Sequence, residues 1–487
     1  MSNSSGIILS PDEGGPAPAP AARSLSGASW CVVSARLFER YGFPLALTIA
    51  VTAPLKLSLA YAAIFPLITL WLLSRPARLA GTKILPSLAG PLALFILTAL
   101  VCGLFGIDPV RSVVQASRFG FFLCIFPALA AAVPRNRIVP LLSALLAGQA
   151  LAALHSVVEG AFPGLVTRFF LGQVTESGQL AISVVTAFGL LFVLNEEILT
   201  GAPDRRPRWR RERLIPGLLG LAAIACFATL GLSGHGETPS AVRHLALITG
   251  PGALAAGIWL TGRELRARER ARALFTALLA TGLPLLFAAL LVNLKRGPWL
   301  GVLVGTVVLL CLYARRLVVP LIAVVVLLIA TVDPVRERLA RSSAHFFIQG
   351  GRGEIWAIGE ELALRYPLGI GWDTSAFLRL FSPDIPRELV HFHSNPLNIL
   401  VETGLLGLAV FSWWLWCLLR AAFRHRRPWR DQLLAATAGA AIISWQAAGL
   451  VEYSLGDSEV LLVALIVVAM LQVLDTAEPP TRSVSAT

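Results

Sequence analysis

The residues best suited to chemistry lie in one polar stretch of an otherwise apolar chain, from Asp333 to Pro396. Two histidines, His391 and His393, stand near its end, where Pro396 indicates the first turn of a helix. The positive potential at a helix N-terminus favours the neutral imidazole, which can accept a proton from a hydroxyl group. The pattern therefore indicates a general base, with an ordinary solvated loop histidine as the alternative interpretation.

The two histidines also allow a metal interpretation. An HxH pair needs further ligands, and Asp384 or Glu388 would supply a carboxylate. No complete ligand set with the spacing of a known metal site is present in the sequence, so we predict no metal. The neighbouring residues Ser394 and Asn395 are candidates for capping the helix that follows.

An arginine opens a second candidate element within the polar stretch. Arg352 stands among glycines, just before an amphipathic pattern over residues 354–365 that predicts a short helix on the membrane surface. Backbone N–H groups at such a helix start can face an anion, and a guanidinium adds a fixed fork of donors. The functional interpretation is a phosphate or pyrophosphate contact. The alternative is an ordinary surface arginine beside a turn.

Two further cations, Lys295 and Arg296, join two apolar segments on the side where positive charges are otherwise scarce. One interpretation is interfacial snorkelling, with Trp299 as an aromatic anchor. The other is that one or both cations face a cavity and bind phosphate.

The elements that must position these residues are membrane-spanning helices. Of the 487 residues, 56% are hydrophobic and 14% are charged, whereas ordinary soluble domains carry about 25% charged residues. Many apolar segments approach the roughly 20 residues that a transmembrane helix needs. The net charge of +13 is concentrated in short loops between spans, which indicates control of orientation and argues against nucleic-acid binding.

The pattern predicts an all-α, polytopic membrane protein of about 12 to 14 transmembrane helices, with one large periplasmic loop that contains short helices. The uncertainty in the count comes from residues 43–73, which are two short helices broken near Pro54 or one tilted helix. Arginine-rich loops alternate with arginine-poor ones and are expected in the cytoplasm. The predicted organisation is a disordered cytoplasmic tail (1–28), transmembrane helices (29–332), the periplasmic catalytic loop (333–396), further transmembrane helices (397–475) and a second cytoplasmic tail (476–487).

Four motifs together resemble the O-antigen ligase and polymerase family of bacterial membrane glycosyltransferases. In chain order they are Lys295-Arg296-Gly-Pro-Trp299-Leu, Gly351-Arg352-Gly-Glu-Ile-Trp356, Tyr366-Pro-Leu-Gly-Ile-Gly371, and His393 with ten residues before Gly404-Leu-Leu-Gly407. The resemblance covers residues 290–410. The chain departs from the family pattern at two positions, with Ser394 where asparagine is common and Lys295 where serine is common.

The resemblance implies a GT-C type fold in the bacterial inner membrane and a reaction without metal, nucleotide sugar or other cofactor. A glycan would pass from undecaprenyl pyrophosphate to an acceptor hydroxyl, on lipid A core or a growing glycan, at the periplasmic face. It also implies that Arg296 and Arg352, with Lys295 beside them, hold the pyrophosphate and that His393 activates or orients the acceptor.

Six further residues are candidates for supporting roles. The candidates are His391, Asn395, Arg118, Glu402, Glu452 and Asp457. Of these, Arg118 would line a cavity for the donor lipid, and the others would be neighbours of the histidine.

Three functions remain open at this point. A ligase is the leading hypothesis, and a repeat-unit polymerase of O-antigen or exopolysaccharide shares its motifs. A transporter or flippase is the hypothesis from another class, but such proteins carry ionisable groups near the bilayer midplane. Charges inside the predicted spans are few here, and the residues with chemical potential cluster on one face, which favours an enzyme.

Overall fold

The computed structural model describes residues 27–78, 87–162, 177–200, 208–232, 240–348, 351–380, 390–424 and 427–476. Within these ranges the protein is helical and has no strand. The predicted tails 1–28 and 476–487 lie outside the described residues, apart from the first two residues of α1 and the last residue of α16.

Sixteen helices are described, in chain order. They are α1 (Gly27–Thr52), α2 (Leu57–Arg78), α3 (Ala89–Leu104), α4 (Pro109–Ala132), α5 (Ile138–Ala161), α6 (Ser177–Thr200), α7 (Arg208–Leu232), α8 (Ser240–Arg266), α9 (Arg270–Val292, with a π-helical turn at Leu278–Gly282), α10 (Arg296–Tyr313), α11 (Val318–Thr331), α12 (Asp333–Phe347), α13 (Arg352–Arg365), α14 (Asn395–Ala422), α15 (Trp429–Gly449) and α16 (Ser458–Thr476).

The predicted all-α, polytopic membrane fold is confirmed. Among the described residues, nine helices are long and apolar enough to cross a membrane, or ten if the bent pair α11–α12 is one span. Two further apolar helices are shorter, at Ala89–Leu104 and Leu214–Leu230. The predicted total of 12 to 14 spans stays a prediction, since it depends on whether helices outside this group cross as well.

The ambiguous segment 43–73 contains a break between two helices. Chain direction reverses over residues 53–56, which include Pro54, and α1 packs along α2. Both helices extend well beyond the ambiguous segment, which removes the length problem that two spans within 31 residues would pose. The predicted break near Pro54 is therefore correct.

The polar stretch forms short helices, as predicted. At the end of α11 the chain turns by 88° into α12, and α13 follows. Ile355 and Leu362 of α13 are buried while Glu360 and Glu361 are exposed, so the predicted faces are present. The apolar face packs against Phe392 and Val401 in a small protein core. The sequence pattern predicted that this face would lie on the membrane surface, whereas in the structure it is covered by protein.

A break in α14 anchors the end of the polar stretch. Gly404 has a φ of +67° inside the helix, and the carbonyls just before it accept bonds from the passing chain. The Ile370 N–H donates to the Val401 carbonyl over 2.8 Å, and the Gly371 N–H donates to the Glu402 carbonyl over 3.0 Å. A Cβ added at Gly404 would lie 2.2 Å from the carbonyl oxygen of Pro367. Two of the glycine motifs found in the sequence therefore meet here, where only glycine allows the backbones to approach.

The same segment also reaches the connection between α3 and α4. The Ile107 N–H donates to the Ile370 carbonyl over 2.8 Å, and Arg111 forms an ion pair with Asp373 at 3.2 Å. Trp372 is buried against Phe95 and Phe119. The polar stretch is thus fixed to three membrane helices before it reaches the histidines.

Candidate active site

The two histidines flank one buried phenylalanine immediately before α14. Phe392 is fully buried, its carbonyl accepts a 2.9 Å bond from the indole N–H of Trp356, and its N–H donates to Asn398 over 3.3 Å. The rings of His391 and His393 lie edge to face with centroids 4.4 Å apart. His393 adopts the left-handed backbone conformation, with a φ of +53°. Anchoring of Phe392 by Trp356, a residue of the second motif, therefore fixes both imidazoles.

Both imidazoles are held neutral. The pKa of His393 is lowered to about 4, first by burial and then by His391 and the positive charges of Arg352 and Lys295. Burial and Arg352 also lower the pKa of His391, against a backbone hydrogen bond that acts in the other direction. The predicted neutral histidine is therefore present, but burial and neighbouring cations lower the pKa more than a helix terminus alone would.

Arg352 is the first residue of α13 and lies half-buried beside the histidines. Burial lowers its pKa, Glu452 opposes that shift, and the positive charge of Arg338 adds to it. Arg352 acts electrostatically on both histidines, and Trp356, one turn further along α13, donates to the Phe392 carbonyl between them, so the start of α13 lies beside both imidazoles. An arginine held against burial and against another cation is a favourable partner for an anion.

Lys295 and Arg296 reach the site from the turn between α9 and α10. Leu294, which precedes them, has a φ of +48°, and the Trp299 indole donates a 2.8 Å bond to the Leu290 carbonyl. Arg296 interacts electrostatically with Arg352, Arg338 and Glu452. Trp299 is therefore bonded to the last turn of α9, which stabilises the position of both cations on the connection to α10.

The acidic partner of these arginines comes from the connection between α15 and α16. A Cβ added at Gly297 would lie 2.8 Å from Cδ of Glu452, so this carboxylate packs directly on the start of α10. The next residue, Tyr453, has its ring centroid 5.4 Å from that of His391. Burial raises the pKa of the Tyr453 phenol well above its ordinary value, so it stays protonated.

Asn395 has a structural role in this arrangement. Its side-chain oxygen accepts bonds from the N–H groups of Ser454 (2.8 Å) and Leu455 (3.1 Å), and its amide donates to the Ser454 hydroxyl over 3.3 Å. Ser394 occupies the cap position of α14 but makes no side-chain cap bond, so capping by Ser394 is wrong. Asn395 instead ties the start of α14 to the connection that carries Glu452.

Two predicted supporting residues are held by hydrogen bonds outside the arginine cluster, although the charge of Glu402 contributes to the raised pKa of the Tyr453 phenol. Glu402 is buried at the break in α14, where one of its oxygens accepts a 2.6 Å bond from the Ser375 hydroxyl. Arg118 is exposed on α4 and donates to Gln115 over 3.3 Å. None of these contacts joins either residue to the arginine cluster.

Sequence reasoning missed Arg338 on α12 and Tyr453. Arg338 is one of three arginines on that helix, and nothing in its local pattern distinguishes it from Arg336 or Arg341. The carboxylates of the metal alternative, Asp384 and Glu388, lie outside the described residues. Within the described part of the chain, no three histidine, cysteine or acidic side chains come together as a metal site.

The site coincides with a recognised domain. Residues 281–412 match the family model described as O-antigen ligase, and this segment contains Arg296, Arg338, Arg352, His393 and the break at Gly404. No curated protein matches the chain significantly. The resemblance that the four motifs carry is thus confirmed over residues 281–412, where the chain matches the O-antigen ligase family model.

Proposed function

We propose that this protein transfers a glycan from undecaprenyl pyrophosphate to an acceptor hydroxyl, as an O-antigen ligase acting on lipid A core or a similar acceptor. The observation that carries the proposal is the approach of segments far apart in sequence: the start of α10 packs on Glu452, the adjacent Tyr453 ring lies 5.4 Å from that of His391, and Trp356 of α13 donates to the Phe392 carbonyl. Arg296, Arg352 and His393 stand on these segments, and Arg352 acts electrostatically with both of the others. The family match supports the same class of reaction.

The arginines would act on the leaving group. The bond between the anomeric carbon and the pyrophosphate oxygen breaks, and the departing undecaprenyl pyrophosphate keeps the electron pair. Two guanidiniums and the ammonium of Lys295 neutralise that charge without a metal, and their partly buried setting strengthens the interaction. Partial burial of Arg352 therefore serves the step directly.

His393 would act on the acceptor. Its neutral imidazole accepts the proton of the attacking hydroxyl while the new bond to the anomeric carbon forms. An imidazole with a pKa of about 4 is a weak base, and two of the groups that lower it are the cations Arg352 and Lys295. A bound diphosphate offsets both charges, so donor binding raises the basicity of His393 at the moment when the base is needed.

The geometry of attack has a stereochemical consequence. If the acceptor oxygen attacks opposite the departing pyrophosphate in a single step, the anomeric configuration inverts. Comparing the linkage in the product with that in the donor by NMR tests this point. A product with the donor's configuration would exclude the single displacement.

Sidedness is part of the proposal. The arginine-poor loops and the polar stretch would face the periplasm of the bacterial inner membrane, with arginine-rich loops in the cytoplasm. The donor then enters from the bilayer, and the acceptor reaches the site from the periplasmic side.

The test that defines the reaction uses purified full-length protein in detergent, with an undecaprenyl pyrophosphate-linked glycan and lipid A core. Formation of glycosylated lipid A core supports the ligase. Elongation of the lipid-linked glycan alone would instead identify a polymerase. If no glycosidic bond forms while the protein moves lipid-linked glycan across vesicle membranes, the enzyme proposal fails and the transporter hypothesis replaces it.

A further inference from the structure

A third arginine, Arg338, lies in the cluster that the proposed function uses. It interacts electrostatically with both Arg296 and Arg352, although it comes from a different helix, α12. Its Nε donates a 2.9 Å bond to the carbonyl of Leu294. That carbonyl follows the end of α9, and a cation that binds such a terminal carbonyl is favoured by the helix dipole.

The neighbours of Arg338 on the same helix behave differently. Arg336 pairs with Asp333 three residues earlier, and Arg341 pairs with Glu337 four residues earlier at 2.8 Å. Both pairs are largely exposed, so they contribute little to stability. Arg338 is half-buried, bonds to the Leu294 carbonyl and acts electrostatically on Arg296 and Arg352. The three arginines therefore differ in their surroundings because of where each stands on the helix.

The cations of the site lie close enough to influence one another. Arg338 acts on Arg296 and Arg352, Arg352 and Lys295 act on His393, and Glu452 is a carboxylate that interacts with both Arg296 and Arg352. Like charges in a partly buried site repel each other, and such arrangements persist where a ligand offsets them. The donor proposed above brings a diphosphate, which carries the opposite charge at two adjacent phosphates.

We propose that Arg338 is a third pyrophosphate-binding residue of this site, held in position by its bond to the Leu294 carbonyl. The proposal rests on the proposed function and deepens it. Three arginines on three separate helices, α10, α12 and α13, would then bind the two phosphates. Selectivity for a diphosphate over a monophosphate would follow from that number of donors.

The test uses purified full-length protein with farnesyl pyrophosphate and farnesyl monophosphate as probes. Binding is measured by the probe-induced shift in melting temperature over a concentration series. We expect Arg338→Ala to weaken farnesyl pyrophosphate binding by about 10- to 100-fold, the loss typical of one charge-assisted contact. The matched controls Arg336→Ala and Arg341→Ala should bind it within about twofold of the unmodified protein.

A second variant separates binding from a structural role. In Arg338→Gln, the amide can still donate to the Leu294 carbonyl but carries no charge. If Arg338 binds pyrophosphate, Arg338→Gln keeps the melting temperature of the free protein and still binds farnesyl pyrophosphate weakly. If Arg338→Gln binds it normally, Arg338 only braces the turn and the proposal is overturned.

The outcomes also separate this proposal from the function itself. Unchanged farnesyl pyrophosphate binding in Arg338→Ala, together with glycan transfer by the unmodified protein, would overturn the role of Arg338 alone. Unmodified protein that neither binds farnesyl pyrophosphate nor transfers glycan would overturn both. Equal affinity of the unmodified protein for farnesyl monophosphate and farnesyl pyrophosphate would overturn the proposed selectivity for a diphosphate.

Discussion

Arginines lie at both ends of α15, but their partners differ. At its start, Arg135 pairs with Asp431, and Arg430 pairs with Glu197 at 2.7 Å. Close by, Arg427 pairs with Asp475 at 2.9 Å, and the two side chains are only 7% and 13% exposed. At this end, each of these arginines has a carboxylate from another segment of the chain.

Beyond the other end of α15 the arginines lie beside one another. Arg296, Arg338 and Arg352 interact with one another, and Glu452 is the carboxylate that Arg296 and Arg352 share. The paired end shows that the chain readily supplies carboxylates where arginines need structural partners. The cations that meet at the other end are the groups to which the proposed diphosphate donor would bind.

The largest expected effect comes from removing the imidazole in the cation-rich site. His393→Ala should lower glycan transfer about 10³-fold, since it removes the proton acceptor. None of the contacts among the described residues joins His393 to the paired end, so membrane accumulation and the melting temperature should stay near those of the unmodified protein. Transfer at the normal rate in this variant would show that His393 is not catalytic.

The comparison of the two ends becomes sharper with one substitution made at each. Arg352→Lys keeps the charge but loses the fork of donors, and should lower transfer about 10- to 100-fold. Arg430→Lys makes the same change where the partner is Glu197, and should leave transfer within about twofold. Steady-state rates with both variants, normalised to folded protein, measure the contrast. Equal effects at the two ends would remove the distinction between structural and substrate-binding arginines.

The glycines at the break in α14 should affect stability without affecting chemistry. Gly404→Ala places a Cβ against the Pro367 carbonyl and forces alanine into a positive φ, at a cost of at least about 2 kcal/mol. The expected result is a lower melting temperature and less accumulated protein, with transfer per folded molecule retained. Gly252→Ala on α8 is the matched control, because a Cβ there meets nothing within 4 Å. A Gly404→Ala protein of normal stability would contradict the account of the break.

The sequence predicts the helical membrane fold well because long apolar segments have few alternatives in a bilayer. It also predicts Arg296, Arg352 and His393 as site residues, because each stands in a polar interruption beside a helix start. The sequence does not show which contact each motif makes. The Tyr366–Gly371 motif and the glycine after His393 pack against each other, and that contact is invisible until both segments are placed.

What the sequence leaves open is which polar residue faces which neighbour. Arg338 resembles Arg336 and Arg341 until α12 is placed beside the turn that carries Leu294. Glu402 and Asn395 stand near the histidines in sequence, yet one binds Ser375 and the other binds the α15–α16 connection. These differences depend on helix rotation and on contacts across long sequence separations, which local patterns do not encode.

The smallest expected effect concerns pH. A histidine of ordinary pKa would be mostly protonated at about pH 5.5, and a reaction that needs it neutral would fall about tenfold relative to pH 7.5. Because the pKa of His393 is about 4, kcat/KM for the donor, which reports the free enzyme, should change by no more than about twofold over that range. Arg352 contributes to this lowering, so Arg352→Gln should raise the pKa and move the acid limb toward neutral pH. Rate profiles of the two proteins at several pH values measure both points. An acid limb near pH 6.5 in the unmodified protein would show that the pKa of His393 is not lowered. An unchanged limb in Arg352→Gln would show that Arg352 does not control the pKa of the imidazole. In either case, the contrast between the two ends of α15 would concern binding alone.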